Sequence, residues 1–332
     1  MKKTIIALAT ASALAAPMAA QAGATVYGAL QVEIASVDNS GYGENNTGGS
    51  RTGTATGQTA LKVADNKRGR VGVKISEDLG GSLKGIAKFE WQLDTPNGNV
   101  TDGAREGWVG LKGGFGEVKA GRIKTAYKYT GGVKYDPFVT TYMEARKSGG
   151  MKGGAFGQNS FWNSSVSYKN KFGPVAVWVT YGADEGDGTT ANPGNSGDLS
   201  WAVKYKASSF EVFASANSDD SAAGKTANDV VKFGGQYKIG GHKISLQLED
   251  VDDTANTEII FLGYQMKMGK NTLVAQIGQT DATGTASDVD YLALGVVHSL
   301  SKKTRAYLGY RDSDGTGTND LSAVSVGLRV SF

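Results

Sequence analysis

Apolar and polar residues alternate along most of this chain. The last segment shows the pattern most clearly, because Val324, Val326, Leu328, Val330 and Phe332 form one apolar row between polar or small neighbours. Successive side chains of a β-strand point to opposite faces of a sheet, so this period of two predicts a strand with one apolar face. Such a strand needs partners at both edges and a cover for its apolar face. A β-barrel closed in lipid supplies both.

Sixteen segments with this alternation follow one another, and no sustained helical period interrupts them. Several have the length of about 9–12 residues that a tilted strand needs to cross a bilayer. Seven short turns and eight longer polar loops connect them in strict alternation, which predicts both ends of the barrel on the short-turn side. The segments are 25–36, 68–78, 83–94, 104–112, 117–123, 161–170, 175–183, 199–206, 210–217, 229–239, 243–250, 258–268, 271–280, 288–298, 304–311 and 321–332.

The predicted fold class is therefore all-β, a sixteen-stranded antiparallel transmembrane barrel. In segment 83–94, Phe89 and Trp91 share an apolar face, whereas Lys88, Glu90 and Gln92 share the other. A soluble β-sandwich or an adhesin would bury the apolar face as its core and remains the alternative. If the apolar face meets lipid instead, the charged face lines water.

The beginning of the chain favours the membrane interpretation. Lys2 and Lys3 precede an apolar run at 5–16, and the small-residue site Ala20-Gln21-Ala22 follows. This pattern predicts a secretory signal peptide at 1–22 and a barrel domain at 23–332. The apolar run is shorter than the stretch of about 20 residues that a spanning helix needs.

Composition supports a sheet-rich exported protein. Glycine accounts for 48 of 332 residues and proline for only 5, while 14 Tyr, 11 Phe and 5 Trp supply aromatic residues for interface girdles. Cysteine is absent, so disulfides and thiolate ligands are excluded. Removing Lys2 and Lys3 from the 35 basic residues leaves 33 against 32 acidic ones. This near-neutral balance argues against a nucleic-acid partner.

Several short motifs occur in a fixed order along the chain. They are TVYGAL at 25–30, GRVGVK at 69–74, EDLGG at 77–81, GWVGLKGGFG at 107–116, GR at 121–122, LSKKT at 300–304 and GLRVSF at 327–332. Together they resemble the general, non-specific porins of Gram-negative bacteria, in particular the neisserial and related proteobacterial branch. The resemblance covers the whole predicted barrel domain.

The resemblance implies a homotrimer in the outer membrane, in contact with lipopolysaccharide and outer-membrane lipid. It implies passive passage of small hydrophilic solutes and no cofactor. The third outer loop would fold inward and narrow the channel, with its acidic residues facing basic residues of the wall. The last strand, with Leu328, Val330 and Phe332, resembles the signal that the outer-membrane assembly machinery reads.

Strand parity gives candidates for the basic wall of the constriction. Outward Val71 and Val73 place their charged neighbours in the lumen. Trp108 is expected to face outward, which turns Arg105 inward. Simple alternation from Val118 turns Arg122 outward and leaves open a place at a loop junction or a subunit interface. The candidates are Arg68, Arg70, Lys74, Lys88, Arg105 and Arg122.

The connection at about 125–160 is the longest and is the candidate constriction loop. It carries the acids Asp136 and Glu144 against five basic residues, Lys128, Lys134, Arg146, Lys147 and Lys152. A basic loop facing a basic wall favours a weak preference for anions. Acidic residues of the outer loops oppose this expectation because they attract cations to the channel mouth. Among them are Asp250, Asp252, Asp312 and Asp314. Arg329 is expected in the lumen near the inner mouth.

Three functions remain open on these patterns. A general diffusion porin is favoured, a substrate-selective channel for phosphate or oligosaccharide is the alternative, and a structural or adhesive barrel is less favoured. Enzymatic activity is not expected, because His242 and His298, the two histidines, lie away from the long outer loops where a barrel hydrolase would hold its site. The acidic clusters of the outer loops could bind calcium or bridge lipopolysaccharide through divalent ions, but none has an EF-hand pattern. Solvated loop tips are therefore favoured, and no metal site is predicted.

Overall fold

The fold is described from a computed structural model of the chain. The described residues are 23–39, 58–145, 161–183, 197–218, 229–252, 256–283, 288–315 and 321–332. The predicted signal peptide at 1–22 lies outside them. Within the described residues, no helix is both long enough and apolar enough to cross a membrane.

Almost all regular structure in the described chain is β-strand, with two short 3-10 helices at Tyr127–Tyr129 and Gly132–Lys134. The strands are β1 Gly23–Asn39, β2 Gln58–Ala64, β3 Arg70–Gly80, β4 Leu83–Asp94, β5 Asn99–Gly113, β6 Gly116–Lys124, β7 Phe161–Phe172, β8 Val175–Gly182, β9 Leu199–Lys206, β10 Phe210–Ser218, β11 Asp229–Ile239, β12 His242–Asp252, β13 Thr257–Met268, β14 Asn271–Asp281, β15 Val289–Ser299, β16 Thr304–Gly315 and β17 Leu321–Ser331.

All strand pairs are antiparallel and the sheet closes on itself. β1 pairs with β17 over Ala29 to Asn39, and the Gly28 and Phe332 backbones exchange two further hydrogen bonds of 3.2 and 3.1 Å. The other edge of β1 pairs first with β3 and then with β2. β2 and β3 thus occupy one position in the wall, and the barrel has the sixteen positions that the alternation predicts.

The connections follow the predicted asymmetry with two exceptions. In the described chain, seven connections of two to four residues on one side of the barrel join β3 to β4, β5 to β6, β7 to β8, β9 to β10, β11 to β12, β13 to β14 and β15 to β16. On the other side the connections are longer, apart from those between β4 and β5 and between β12 and β13, which also have four residues. Gly23 pairs with Ser76 near the first of these turns, and Ser331 bonds to Lys303 near the last. Both ends of the barrel therefore lie on the short-turn side.

Burial is inverted relative to a soluble protein. The terminal row from Val324 to Phe332 is exposed on the outer surface, whereas Ser325 and Arg329 between its members are buried inside. Trp91, Tyr205, Tyr264 and Tyr310 are exposed as well. An outer surface of apolar side chains with aromatic residues is what a hydrocarbon environment stabilises, and the polar interior is what water stabilises. The predicted barrel is confirmed.

Candidate functional site

The connection between β6 and β7 narrows the lumen by lying against its inner wall. Its described part, 125–145, begins at β6 and crosses β9 and β10 first. The Tyr127 amide donates to Ser200 Oγ at 2.9 Å, and Thr130 Oγ1 donates to Ser215 Oγ at 2.8 Å. Both partners belong to strands, so the barrel itself sets the path of the loop.

Asp136 holds the middle of this loop. Its carboxylate accepts from the Phe138 amide at 2.7 Å, the Ala145 amide at 2.9 Å and Gln276 Nε2 on β14 at 2.9 Å. Burial raises the pKa of Asp136 to about 6, although the three N–H donors act in the opposite direction. Each donor would otherwise be unsatisfied in the interior, so the Asp136 side chain anchors the loop.

This role differs from the expected one, in which the loop acids face the basic wall. Asp136 bonds to its own loop and to β14, and Glu144 Oε2 accepts from the Thr140 amide at 2.8 Å. Local turn bonds compete for short acidic side chains, and strand patterns cannot show that competition. Arg146 and Lys147 lie outside the described residues.

Two arginines on the strands hold the far end of the loop. Arg311 Nη1 on β16 donates to the Tyr142 carbonyl at 3.1 Å, and Arg329 Nη2 on β17 donates to the Val139 carbonyl at 3.0 Å. Arg329 faces the lumen as predicted. It also contacts the constriction loop, which the strand pattern does not predict.

The loop covers the inner wall from β9 round to β1 and leaves the wall of β3–β6 facing the remaining opening. Basic side chains from both sides surround that opening, and no carboxylate is among the described residues that line it. The lining residues are Lys67, Arg68, Arg70, Arg105, Lys124, Lys128, Lys134, Tyr129, Val139 and Thr140. Burial, and then repulsion from Lys124 and other neighbouring cations, lowers the pKa of Lys134.

Two acids lie behind this basic wall. Glu90, on β4, is 2% exposed and contacts Arg105 at 2.9 Å, Lys88 at 3.2 Å and Arg70 at 3.8 Å. Glu106 contacts Lys124 at 3.3 Å and also Lys88. The two carboxylates fix the cations in place, but the side of the cluster that faces the water carries positive charge.

A β-bulge produces this arrangement. Glu90 pairs with Glu106 and Trp91 with Ala104, so Arg105 is an extra residue in β5. The bulge lets Arg105 and Glu106 both point inward. It also reverses the expected parity beyond it. Trp108 pairs with Lys88, and Lys119 Nζ lies 4.3 Å from its ring, so the prediction that Trp108 faces outward is wrong.

A second bulge lies beside Arg122, which itself stays in register with Gly107 on β5. The register of β6 and β7 shifts between Gly121 and Ile123, and Gly121 has a φ of +133° with no room for a Cβ against the Gly107 carbonyl. Arg122 Nε donates to the Ala104 carbonyl at 2.7 Å, and its guanidinium lies 5.6 Å from the Phe161 ring. It therefore sits at the loop junction, one of the two places left open.

The structure brings some of the predicted wall residues together and separates others. Arg68, Arg70 and Arg105 line the opening, while Lys88 lies behind them and Lys74 lies 4.3 Å from the Tyr27 ring, away from the lining. Sequence reasoning missed Lys67 and Lys124. Lys67 lies in the connection between β2 and β3 and Lys124 is the last residue of β6, and a pattern of strand faces gives no signal at such positions.

The terminal strand contributes to closure of the barrel. Leu328, Val330 and Phe332 are exposed on the outer surface, and β17 joins the first and last wall positions.

These features define a water-filled channel through a membrane barrel with a basic constriction. The sequence matches the family described as Gram-negative porin over residues 6–318. The chain belongs to that family.

Individual relatives agree with this assignment. Outer membrane porin protein 32 of Delftia acidovorans is 28% identical, covering 98% of this chain and 94% of that protein. Major outer membrane protein P.IB of Neisseria meningitidis serogroup B is 34% identical over 44% of this chain and 41% of that protein. An anion-selective porin from Comamonas acidovorans superposes with a TM-score of 0.76 at 23% identity, over 94% of this chain and all of that one.

The protein is thus an outer-membrane channel for the diffusion of small hydrophilic solutes. The family is one of channels rather than of enzymes.

Proposed function

We propose that this porin prefers small anions to cations and that the basic wall at the constriction causes the preference. The observation that carries the proposal is the ring of seven basic side chains, from β3, β5, β6, the loop and the residues before β3, with both nearby carboxylates behind it. Charges of one sign around a narrow aqueous passage raise the local concentration of the opposite ion. The similarity to a porin described as anion-selective supports the same preference.

The acidic residues of the outer loops do not weaken this proposal where the structure describes them. Asp250 pairs with Val231, which is exposed on the outer surface. Asp312 pairs with Leu292, and Leu292 pairs with the exposed Ile277. Paired residues share a face of the sheet, so these carboxylates point away from the lumen.

Within this proposal, Arg68, Arg70 and Arg105 act directly on the passing ion. Lys88 contacts Glu90 and Glu106, the carboxylates that hold the basic wall. Lys74 adds positive charge on β3, and Arg122 fixes the loop junction. Asp136 and Glu144 shape the loop. Arg146 and Lys147 would add positive charge to the same loop, in keeping with its composition.

The assembly is part of the same proposal. The apolar outer surface and the resemblance to the family support a homotrimer in contact with lipopolysaccharide and outer-membrane lipid. The row of Leu328, Val330 and Phe332 is accessible at the end of the barrel to the assembly machinery. The first 22 residues support export by a cleaved signal peptide.

Reversal potentials in planar bilayers test the proposal. In a KCl gradient we expect a potential of the sign set by chloride, which weakens as salt screens the wall. A potential of the opposite sign would contradict the anion preference. Saturable block by added phosphate would support the substrate-selective alternative, and absence of single-channel steps would support a structural barrel.

A further inference from the structure

One aromatic ring lies at the centre of the basic side chains on the β5–β7 side of the constriction. Phe161 opens β7 and pairs with Lys124. Its ring centroid lies 4.8 Å from Lys128 Nζ, 5.2 Å from Arg105 Cζ, 5.6 Å from Arg122 Cζ and 5.8 Å from Lys124 Nζ. Three of these four cations, all except Arg122, line the opening.

Cations gathered around one ring repel one another, and proteins usually balance such charges with carboxylates. Glu90 pairs with Arg105 at 2.9 Å and Glu106 pairs with Lys124 at 3.3 Å. Arg122 is held by uncharged acceptors instead, namely the carbonyls of Ala104 and Phe161 and the side chain of Asn163. A carboxylate in the position of the ring would cancel part of the positive charge at the opening.

An aromatic face attracts cations without carrying a net charge. Each such contact contributes about 0.5–2 kcal/mol, depending on how far the cation is desolvated. The ring therefore offsets part of the repulsion among the four cations and leaves the field at the opening positive. Both bulges lie at this contact, since Arg105 is the extra residue of one and Arg122 lies within the register shift of the other.

We propose that Phe161 is a positioning residue for ion selectivity, which holds Arg105, Arg122, Lys124 and Lys128 around one ring and so concentrates positive charge at the constriction. The inference rests on the proposed anion preference and names a residue through which it arises. Phe161 itself carries no charge and lies outside the set of residues that line the opening.

The test compares F161L with F161W and with a fluorinated phenylalanine at the same position. F161L keeps an apolar side chain but removes the negative face, F161W keeps that face, and fluorination weakens it with little change of shape. We expect F161L to lower the anion-to-cation permeability ratio by about twofold or more. This factor corresponds to the smallest energy of one cation–π contact, about 0.5 kcal/mol. The fluorinated ring should give an intermediate value and F161W a value near that of the unchanged protein.

A pH series separates this role from simple packing. Lys124 and Lys128 are the titratable cations beside the ring, and an aromatic face next to an ammonium group favours its charged form. The charged groups around them are Arg70, Lys88, Arg105, Lys119, Arg122, Lys134, Glu90 and Glu106. We expect F161L to lose anion preference at a lower alkaline pH than the unchanged protein, and F161W to restore it. Phe172, at the exposed far end of the same strand, provides the control variant F172L.

The outcomes distinguish the two proposals. Cation preference in the unchanged protein would overturn the proposed function. Anion preference that F161L and the fluorinated ring both leave unchanged, in ratio and in pH profile, would overturn the role of Phe161 alone. If F161L fails to give a heat-modifiable band on gels, the fluorinated protein decides the question, because its ring retains the native shape.

Discussion

The two sides of the lumen carry similar residues and use them differently. On the side of β3–β6, Arg70 and Arg105 line the opening and contact a buried carboxylate. On the side of β16 and β17, Arg311 and Arg329 donate to carbonyls of the inward loop. Both pairs are inward-facing arginines on strands. The path of the loop, rather than the strand pattern, decides which arginines meet the passing solute.

The buried acids of the two sides differ in the same way. Glu90 is surrounded by cations, whereas Glu33 on β1 accepts from neutral donors, Ser325 Oγ at 2.6 Å, the Tyr142 amide at 3.1 Å and Asn66. On the side of β3–β6, the buried acid belongs to an ion cluster behind a water-facing surface. On the other side, the buried acid holds the loop through hydrogen bonds. Substitutions that remove the charge without changing the shape of the side chain distinguish these two roles.

The largest effect is expected for E90Q against E33Q. Loss of the Glu90 charge leaves Arg105, Lys88 and Arg70 with less compensation, and breaking a buried ion cluster costs about 3–5 kcal/mol. In E33Q the amide oxygen still accepts, so we expect a cost of about 1 kcal/mol, that of a neutral hydrogen bond. Unfolding in denaturant, followed by loss of the unheated band on gels, measures both.

Selectivity gives E90Q a second readout. Because removal of the carboxylate makes the wall more positive, anion preference should rise in E90Q even as stability falls, and should stay constant in E33Q. Equal losses of stability in the two variants would show that the two sides of the lumen do not differ as described.

The next effect concerns the loop anchor Asp136. Because its pKa of about 6 lies above the ordinary value of 3.8, its contribution to stability is complete below about 3.8 and is lost as pH rises through 6. A rise of this size corresponds to about 3 kcal/mol. We therefore expect the stability of the unchanged protein, relative to D136N, to increase as pH falls from 7 to 4.

Thermal unfolding of the two proteins at a series of pH values measures this difference. D78N, near the exposed end of β3, controls for an aspartate-to-asparagine change away from the loop. Parallel pH profiles for D136N and the unchanged protein would show that the ionisation of Asp136 does not affect the loop.

Alternation was sufficient to predict the architecture. A strand with one face in lipid and one in water must repeat with period two, so the rows from Val324 to Phe332 and from Phe89 to Trp91 identify the outer surface directly. The count of sixteen positions follows from the same pattern. Among the described strands, only β2 lies outside the sixteen predicted segments, because it lies within a long polar segment and shares a wall position with β3.

The site was less predictable, because it depends on departures from alternation. The bulge at Arg105 reverses the face on which Trp108 lies, and strict alternation of apolar and polar residues does not predict a bulge. Gly121 inside a strand was a signal for the second bulge. The loop path was inaccessible, since contacts such as Arg329 with Val139 join residues far apart in the chain and arise only when the barrel closes.

The smallest effect, in free energy, is expected for removal of arginine charge on each side in turn. A unit charge about 4 Å from an ion contributes about 1 kcal/mol in water, which corresponds to about fivefold in the anion-to-cation permeability ratio. We expect R70Q with R105Q to reduce the ratio by at least this factor. R311Q with R329Q should leave it nearly constant and instead increase current noise, because the loop loses donors to the Tyr142 and Val139 carbonyls. The same ratio in both double variants would mean that the loop path does not determine which arginines act on the solute.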